Sequence, residues 1–180
     1  MRTHVLMAIS LSSACVAESH CPPRYTATIL EQATNGCGIT VGYGLNNHGH
    51  VVGAWRCPLG QPMPFVWYGE GDEVNPLPMP SGTESGRALD INDGGQVVGS
   101  FSSTIGNHGF LFDGNLVQPL WTPGPVHPVY TGSAARRLNN DGMIVGTGFN
   151  EELNLYLQPC SWHGVSFPVF LAGAPFASGS

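Results

Sequence analysis

Two histidines one residue apart, His48 and His50, follow the asparagines Asn46 and Asn47. Imidazole nitrogens this close together could bind a transition metal or transfer protons in a reaction. The same residues, together with Gly49, are also typical of a tight turn, because Asn and Gly tolerate positive φ angles. We expect the turn, with a metal or ligand site as the alternative.

The segment that holds these histidines occurs three times along the chain. The copies read LNNHGHVVG from Leu45, INDGGQVVG from Ile91 and LNNDGMIVG from Leu138, and they start 46 and 47 residues apart. Both histidine positions change in every copy, whereas one Asn and two Gly residues recur in all three. We interpret the recurring residues as the structural part of each turn: Asn46, Gly49, Gly53, Asn92, Gly95, Gly99, Asn139, Gly142 and Gly146.

Other residues that could support catalysis lack the necessary spacing. The turns at Asp93 and Asp141 resemble calcium loops superficially, but a calcium loop needs further carboxylates spread over about a dozen residues. The sequence contains no G-x-S-x-G turn and no lysine, so the common serine-nucleophile motifs are excluded. Adjacent carboxylates such as Glu151 and Glu152 would point to opposite faces of a strand. We therefore predict no catalytic residue, no metal ion and no cofactor.

The tryptophans divide into two groups. Trp67 and Trp162 occupy the same repeat position as Phe112, which favours packing between units. Trp55 and Trp121 have no counterpart in the other copies. Because exposed aromatic rings in loops often contact ligands, we predict Trp55 and Trp121 as candidate ligand-binding residues.

The N-terminus is typical of a secretory signal. Arg2 precedes an apolar run from Val5 to Ala14 that is too short to span a bilayer, and small residues follow it. We expect a signal peptide at residues 1–17 and a single mature domain at 18–180. The mature chain would be extracellular, or a periplasmic or outer-membrane lipoprotein if Cys15 is the modified residue.

Four cysteines follow the predicted signal. An even number in an oxidising compartment favours disulfide bonds, while three pairings stay open. The candidates are Cys21, Cys37, Cys57 and Cys160.

The charge balance argues against two classes of partner. Twelve carboxylates oppose six arginines, and the formal net charge is −6. Such a chain lacks the basic surface that attracts nucleic acids and anionic membranes. We expect no nucleic-acid partner and, because no later apolar run is long enough, no membrane span.

Each repeat predicts four short strands. In the second unit they cover 88–92, 96–101, 108–112 and 116–120, and no segment of the mature chain has the period of a helix. Four antiparallel strands in 40–50 residues is the construction of a propeller blade. We predict an all-β fold of repeated four-stranded antiparallel meanders, a partial β-propeller. It would have about three blades, at 38–80, 84–123 and 132–171, plus one extra N-terminal strand.

The motifs resemble the HAF repeat of predicted extracellular bacterial proteins. That repeat joins an aliphatic-Asn turn and G-x-V-V-G to a His-Ala-Phe-like strand, for which His108-Gly109-Phe110 is the closest match. Met63-Pro64-Phe65 and Gln158-Pro159-Cys160 stand at the tripeptide in the other units. The resemblance covers roughly Tyr25 to Leu171 and implies a secreted β-propeller, but it brings no activity and no catalytic residues.

These observations favour a secreted, non-enzymatic repeat protein that offers a structural, adhesive or ligand-binding surface. Its ligand would be an extracellular glycan or protein. The alternative is an extracellular carbohydrate-active hydrolase on a propeller scaffold, for which carboxylates from two or three units would have to converge. With three units, the chain is expected to be a fragment of a longer propeller or to self-associate through open sheet edges.

Overall fold

The described part of the chain consists of twelve β-strands and contains no helix. The computed structural model describes residues 27, 39–56, 60–69, 73–104, 106–120, 131–150, 155–166 and 168–170. The strands are β1 (Ile39–Leu45), β2 (Val51–Arg56), β3 (Met63–Trp67), β4 (Asn75–Pro76), β5 (Thr83–Ile91), β6 (Val97–Ser103), β7 (Gly106–Phe112), β8 (Val117–Leu120), β9 (Gly132–Leu138), β10 (Met143–Asn150), β11 (Leu155–His163) and β12 (Val169–Phe170).

The strands form three four-stranded antiparallel sheets, one for each sequence repeat. The first sheet is β1–β4, the second β5–β8 and the third β9–β12, and strands adjacent in sequence are adjacent in each sheet. The predicted all-β fold of four-stranded antiparallel meanders is confirmed. The predicted signal peptide, and all of the predicted N-terminal strand except Ala27, lie outside the described residues.

The side chain of the repeated asparagine stabilises the turn between the first two strands of each sheet. In the first sheet the Asn46 Oδ1 atom accepts hydrogen bonds from the backbone N–H groups of His48 (3.1 Å) and His50 (2.9 Å). The glycine three residues after each asparagine has a positive φ angle, which an L side chain rarely adopts. These angles are 81° at Gly49, 79° at Gly95 and 78° at Gly142.

A β-bulge explains why the repeated segment ends in glycine. In the first sheet Gly42 pairs with Gly53 and Gly44 with Val52, so one residue of β1 has no partner. The bulge moves a backbone carbonyl over the last glycine of the segment, where a Cβ atom would lie only 1.9–2.0 Å from the carbonyl oxygen. The same clash occurs in each unit, at Gly53 with Val41, at Gly99 with Arg87 and at Gly146 with Ala134.

The three sheets stack face to face, and the second sheet buries both of its faces. Val97 belongs to a core shared with the first sheet, and Val98 to a core shared with the third. Strand β5 packs against the first sheet and β9 against the second. The aromatic side chains at the shared repeat position, Trp67, Phe112 and Trp162, are all buried.

A ladder of hydrogen bonds joins the turns of neighbouring units. The Asn46 Nδ2 atom donates to the backbone carbonyl of Asn92 (3.0 Å), and Asn92 Nδ2 donates to that of Asn139 (3.1 Å). One residue later, the backbone N–H of Asn47 donates to Asp93 Oδ1, and that of Asp93 donates to Asn140 Oδ1, both at 2.9 Å. We call this set of contacts the turn ladder. It fixes the orientation of each unit relative to the next.

Candidate ligand-binding cleft

A cleft of about 590 Å³ opens where the three sheets converge. It is lined by the first strands β1, β5 and β9 and by the ends of the second strands β2, β6 and β10. Because each first strand is antiparallel to the second, these strand ends are remote from the asparagine turns. The turn ladder thus fixes the sheets at one end, and the cleft lies at the other.

Equivalent positions of the three units meet in this cleft. Arg56, Ser102 and Phe149 each follow the last glycine of the repeated segment by three residues, and all three line the cleft. The positions whose carbonyls cover that glycine, Val41, Arg87 and Ala134, line it as well. Scaffold positions repeat between the units, whereas these positions carry different side chains. The cleft is therefore chemically asymmetric within a near-symmetric frame.

The lining combines polar and apolar side chains, and its only charges among the described residues are positive. Arg56 and Arg87 are both exposed to solvent, and no described residue forms a salt bridge or side-chain hydrogen bond with either guanidinium. No described lining residue is a carboxylate. The other polar groups of the lining are hydroxyls, amides and the Tyr43 phenol. The hydroxyls belong to Ser85, Ser100, Ser102 and Ser133, and the amides to Gln61 and Asn107.

Three hydrogen bonds stabilise the wall of the cleft, two between the second and third sheets and one within the second sheet. The buried Ser133 hydroxyl accepts a hydrogen bond from the Gly109 N–H and donates one to the Leu120 carbonyl, both at 3.0 Å. The Ser102 hydroxyl donates to Asn107 Oδ1. A wall whose polar groups bond to one another keeps its shape when the cleft is empty, which favours ligand binding without rearrangement.

Trp55, a predicted ligand-binding residue, lies away from this cleft. Its half-buried ring packs on the outer face of the first sheet, against a cluster formed by Phe65, Trp67 and Val74. Its indole Nε1 atom is buried and has no hydrogen-bond partner among the described residues. Trp121, the other predicted residue, lies outside the described residues.

The two histidines of the first turn lie at the end of the fold remote from the cleft. His50 Nδ1 accepts a hydrogen bond from Asn46 Nδ2 (3.2 Å), and the His50 ring meets the edge of Tyr68 at 5.2 Å between centroids. The His48 and His50 ring centroids are 5.7 Å apart. No group of three or more His, Cys, Asp or Glu side chains that could hold a metal ion occurs among the described residues.

Cys160, one of the four predicted disulfide partners, is a buried free thiol. It pairs with Gly146 in the position that Phe65 and Phe110 occupy in the other units. Its side chain belongs to the core between the second and third sheets, where no other described cysteine lies. Burial raises the pKa of this thiol to about 12, so it stays protonated at neutral pH. The other three candidates, Cys21, Cys37 and Cys57, lie outside the described residues.

The cleft residues Arg56 and Arg87 were not predicted from the sequence. A signal for them exists, because positions at fixed offsets from the recurring glycine differ in all three copies. The residues that recur build the scaffold. The residues three positions after the last glycine of the segment, Arg56, Ser102 and Phe149, diverge and meet in the cleft.

Comparison of the chain with protein-family models, with curated proteins and with solved structures finds no match. Across the described residues, no helix has the length and apolar character needed to cross a membrane.

Proposed function

We propose that the protein is a secreted, non-enzymatic binding module of β-propeller type whose three sheets hold an extracellular glycan in the cleft. The observation that carries this proposal is the cleft itself, where equivalent positions of all three units converge with different side chains. Side chains of different chemistry from three units are thereby available to one ligand in one place.

The arrangement of the sheets supports the propeller interpretation. Each unit is a meander of four antiparallel strands, and the first strand of each unit packs against the sheet before it. The first strands lie beside the cleft, as the innermost strands of propeller blades lie beside a central channel. The resemblance of the motifs to the HAF repeat implies the same architecture and an extracellular location.

The chemistry of the lining favours a sugar over an apolar ligand. Hydroxyl and amide groups on several strands offer both donors and acceptors, which suits a ligand with many hydroxyl groups. The Tyr43 ring, which lines the cleft and is partly exposed, offers a surface on which a sugar ring can stack.

The alternative hydrolase function receives less support from the same lining. Glycoside hydrolysis in most families requires two carboxyl groups on either side of the scissile bond. The described lining of the cleft contains two guanidinium groups and no carboxylate. A binding role therefore explains the described residues better than a hydrolytic one.

A saccharide-binding assay with a cleft-filling variant tests the proposed function. We expect a panel of neutral and acidic oligosaccharides to contain a ligand that binds in titration calorimetry and is recovered unhydrolysed. Ser100→Trp places a large ring in the cleft and should weaken binding at least about tenfold. Ser81→Trp, in an exposed turn outside the lining, is the matched control and should bind normally.

Circular dichroism and urea unfolding establish that both variants are folded before their affinities are compared. The proposal is wrong if no saccharide binds, if Ser100→Trp binds as tightly as the unmodified chain, or if the ligand is cleaved.

A further inference from the structure

We propose that the saccharide held in the cleft is anionic and that Arg56 and Arg87 together bind its carboxylate or sulfate groups. This inference rests on the proposed function and adds the chemical class of the ligand.

The distribution of charge is the first observation. The chain has a net charge of −6 and only six basic residues other than histidine. Four of these lie in the described part, and two of the four line the same cleft, one from the first unit and one from the second. All described carboxylates lie outside the lining. A chain that is acidic overall thus presents its cleft as a local positive site, which attracts anions selectively.

The absence of compensation around the two arginines is the second observation. Among the described residues neither guanidinium has an acidic partner. A bound oxyanion would supply the partner that both guanidinium groups lack within this part of the chain. An oxyanion can accept two parallel hydrogen bonds from one guanidinium, a geometry that lysine cannot reproduce.

The neighbours of Arg87 complete an oxyanion site. In the register of the second sheet Arg87 stands opposite Ser100, so the two side chains lie on the same face of adjacent strands. Ser100 and Ser85 both line the cleft beside the arginine. Their hydroxyls can donate to an oxygen that the guanidinium leaves free, or to a sugar hydroxyl beside the charged group.

Titration calorimetry with three trisaccharides tests the inference: trigalacturonate, neutral galactotriose and a sulfated galactotriose. We expect an acidic sugar to bind at least about tenfold more tightly than the neutral one, and this preference should shrink as the salt concentration rises. Comparison of the carboxylated sugar with the sulfated sugar identifies which oxyanion the natural ligand carries.

Charge-removing variants assign the effect to the two arginines. Arg56→Gln and Arg87→Gln should each weaken acidic-sugar binding about tenfold or more, a larger factor than for the neutral sugar, and Arg87→Lys should recover only part of the loss. Arg136→Gln, an exposed arginine of β9 outside the lining, should have no effect. The inference fails if the neutral sugar binds equally well, or if Arg136→Gln causes the same loss as the cleft variants. Binding of neutral sugars alone would overturn this inference and leave the proposed function standing, whereas no saccharide binding at all would overturn both.

Discussion

Asn92 and Asn139 occupy equivalent positions in two units but differ in their hydrogen bonds and their burial. Its Oδ1 atom accepts from the backbone N–H of Gln96, and its Nδ2 atom donates to the Gln96 side chain and to the carbonyl of Asn139. Asn92 is buried, whereas Asn139 is exposed and donates no side-chain hydrogen bond to any described residue. The same residue type is therefore expected to contribute differently to the free energy of unfolding at different positions of the turn ladder.

Replacement of Asn92 and of Asn139 should show how much each side chain contributes to the free energy of unfolding. We expect Asn92→Ala to lower the free energy of unfolding by about 2–4 kcal/mol, because it removes three part-buried hydrogen bonds, two to Gln96 and one to the Asn139 carbonyl. Asn139→Ala should cost about 1 kcal/mol or less, because water can satisfy the exposed groups. Urea unfolding followed by circular dichroism measures both values. Equal losses would contradict the assignment of the ladder as an interaction between units.

Asp93 predicts a pH dependence of stability. Its carboxylate accepts hydrogen bonds from the side-chain amide of Asn47, from the Asn47 backbone N–H and from the Asn140 side chain. These bonds hold the pKa of Asp93 below its ordinary value of 3.8, the Asn47 side chain having the largest effect. A depressed pKa in the folded state stabilises the fold above the unfolded value, and this contribution is lost as the pH falls through the folded value.

The urea midpoint of the unmodified chain should therefore fall more steeply below about pH 4 than that of Asp93→Asn. Asp141→Asn is the control, because the Asp141 carboxylate accepts no hydrogen bond from a described residue, and its midpoint should follow that of the unmodified chain. Parallel midpoints for Asp93→Asn and the unmodified chain would show that the carboxylate does not stabilise the ladder.

At the scale of elements, the sequence predicts the hairpins well and their bulges not at all. The turn chemistry is local, since each asparagine bonds within four residues of itself and each turn glycine has its own positive φ angle. The last glycine of the segment is constrained instead by a carbonyl on the preceding strand. That strand reads ITVGYGL, TESGRALDI or GSAARRL in the three units, with no shared residue to signal the bulge. For the same reason the start of β5 at Thr83 was not predicted.

Two glycines of the same segment should respond differently to alanine. Gly99→Ala would place a Cβ atom 2.0 Å from the Arg87 carbonyl oxygen and 2.8 Å from the Phe110 ring. We expect a loss of at least about 3 kcal/mol in unfolding free energy, because the bulge and the ring must both shift. Gly95→Ala meets no atom within 4 Å and should cost only the backbone strain of a left-handed residue, about 1–2 kcal/mol.

Urea unfolding of the two variants in parallel measures both losses of unfolding free energy. Failure of Gly99→Ala to fold, under conditions where Gly95→Ala folds, would agree with the expected order. A smaller loss for Gly99→Ala than for Gly95→Ala would contradict the role assigned to the bulge.

At the scale of the molecule, the repeat period predicts how many sheets there are, but the cleft depends on how they meet. Recurring residues such as Asn46 and Gly53 identify a unit because every unit needs them to fold. Arg56 and Arg87 lie in different units, and their approach to one cleft results from packing between sheets. A single sequence gives no direct signal of such packing, whereas the aromatic character of Trp55 is visible without it.

The three-layer stack leaves one sheet face open among the described residues. Val52 and Val98 are equivalent positions that are 0 % exposed, each covered by the next unit. Their counterpart in the third sheet, Val145, is 38 % exposed, and Val169, on the same face two strands away, is 65 % exposed. The outer face of the first sheet, by contrast, is already buried at Phe65.

The edges of the three sheets at β4, β8 and β12 offer little surface for pairing with another chain, and the longer edges at β1, β5 and β9 line the cleft. The outermost strands β4 and β12 contain two residues each, and β4 includes a proline, which cannot donate a backbone hydrogen bond. Self-association, which the sequence suggested through open edges, is therefore better supported by the open face of the third sheet. Because a second copy presents the same face, the pairing would be twofold and self-complementary.

We predict that the chain forms a dimer in which the open faces of two third sheets pack against each other. Val145→Lys should reduce the dimer fraction strongly, because two buried ammonium groups would face each other across the twofold axis without counter-ions. Leu116→Lys is the control, because it introduces the same charge at an exposed apolar residue in a turn of the second sheet. It should leave the dimer intact. Sedimentation velocity over a range of concentrations measures the dimer fraction of all three chains. A monomeric unmodified chain, or a dimer that survives Val145→Lys, would show that the exposed valines of the third sheet are a solvated end of the stack and not an interface.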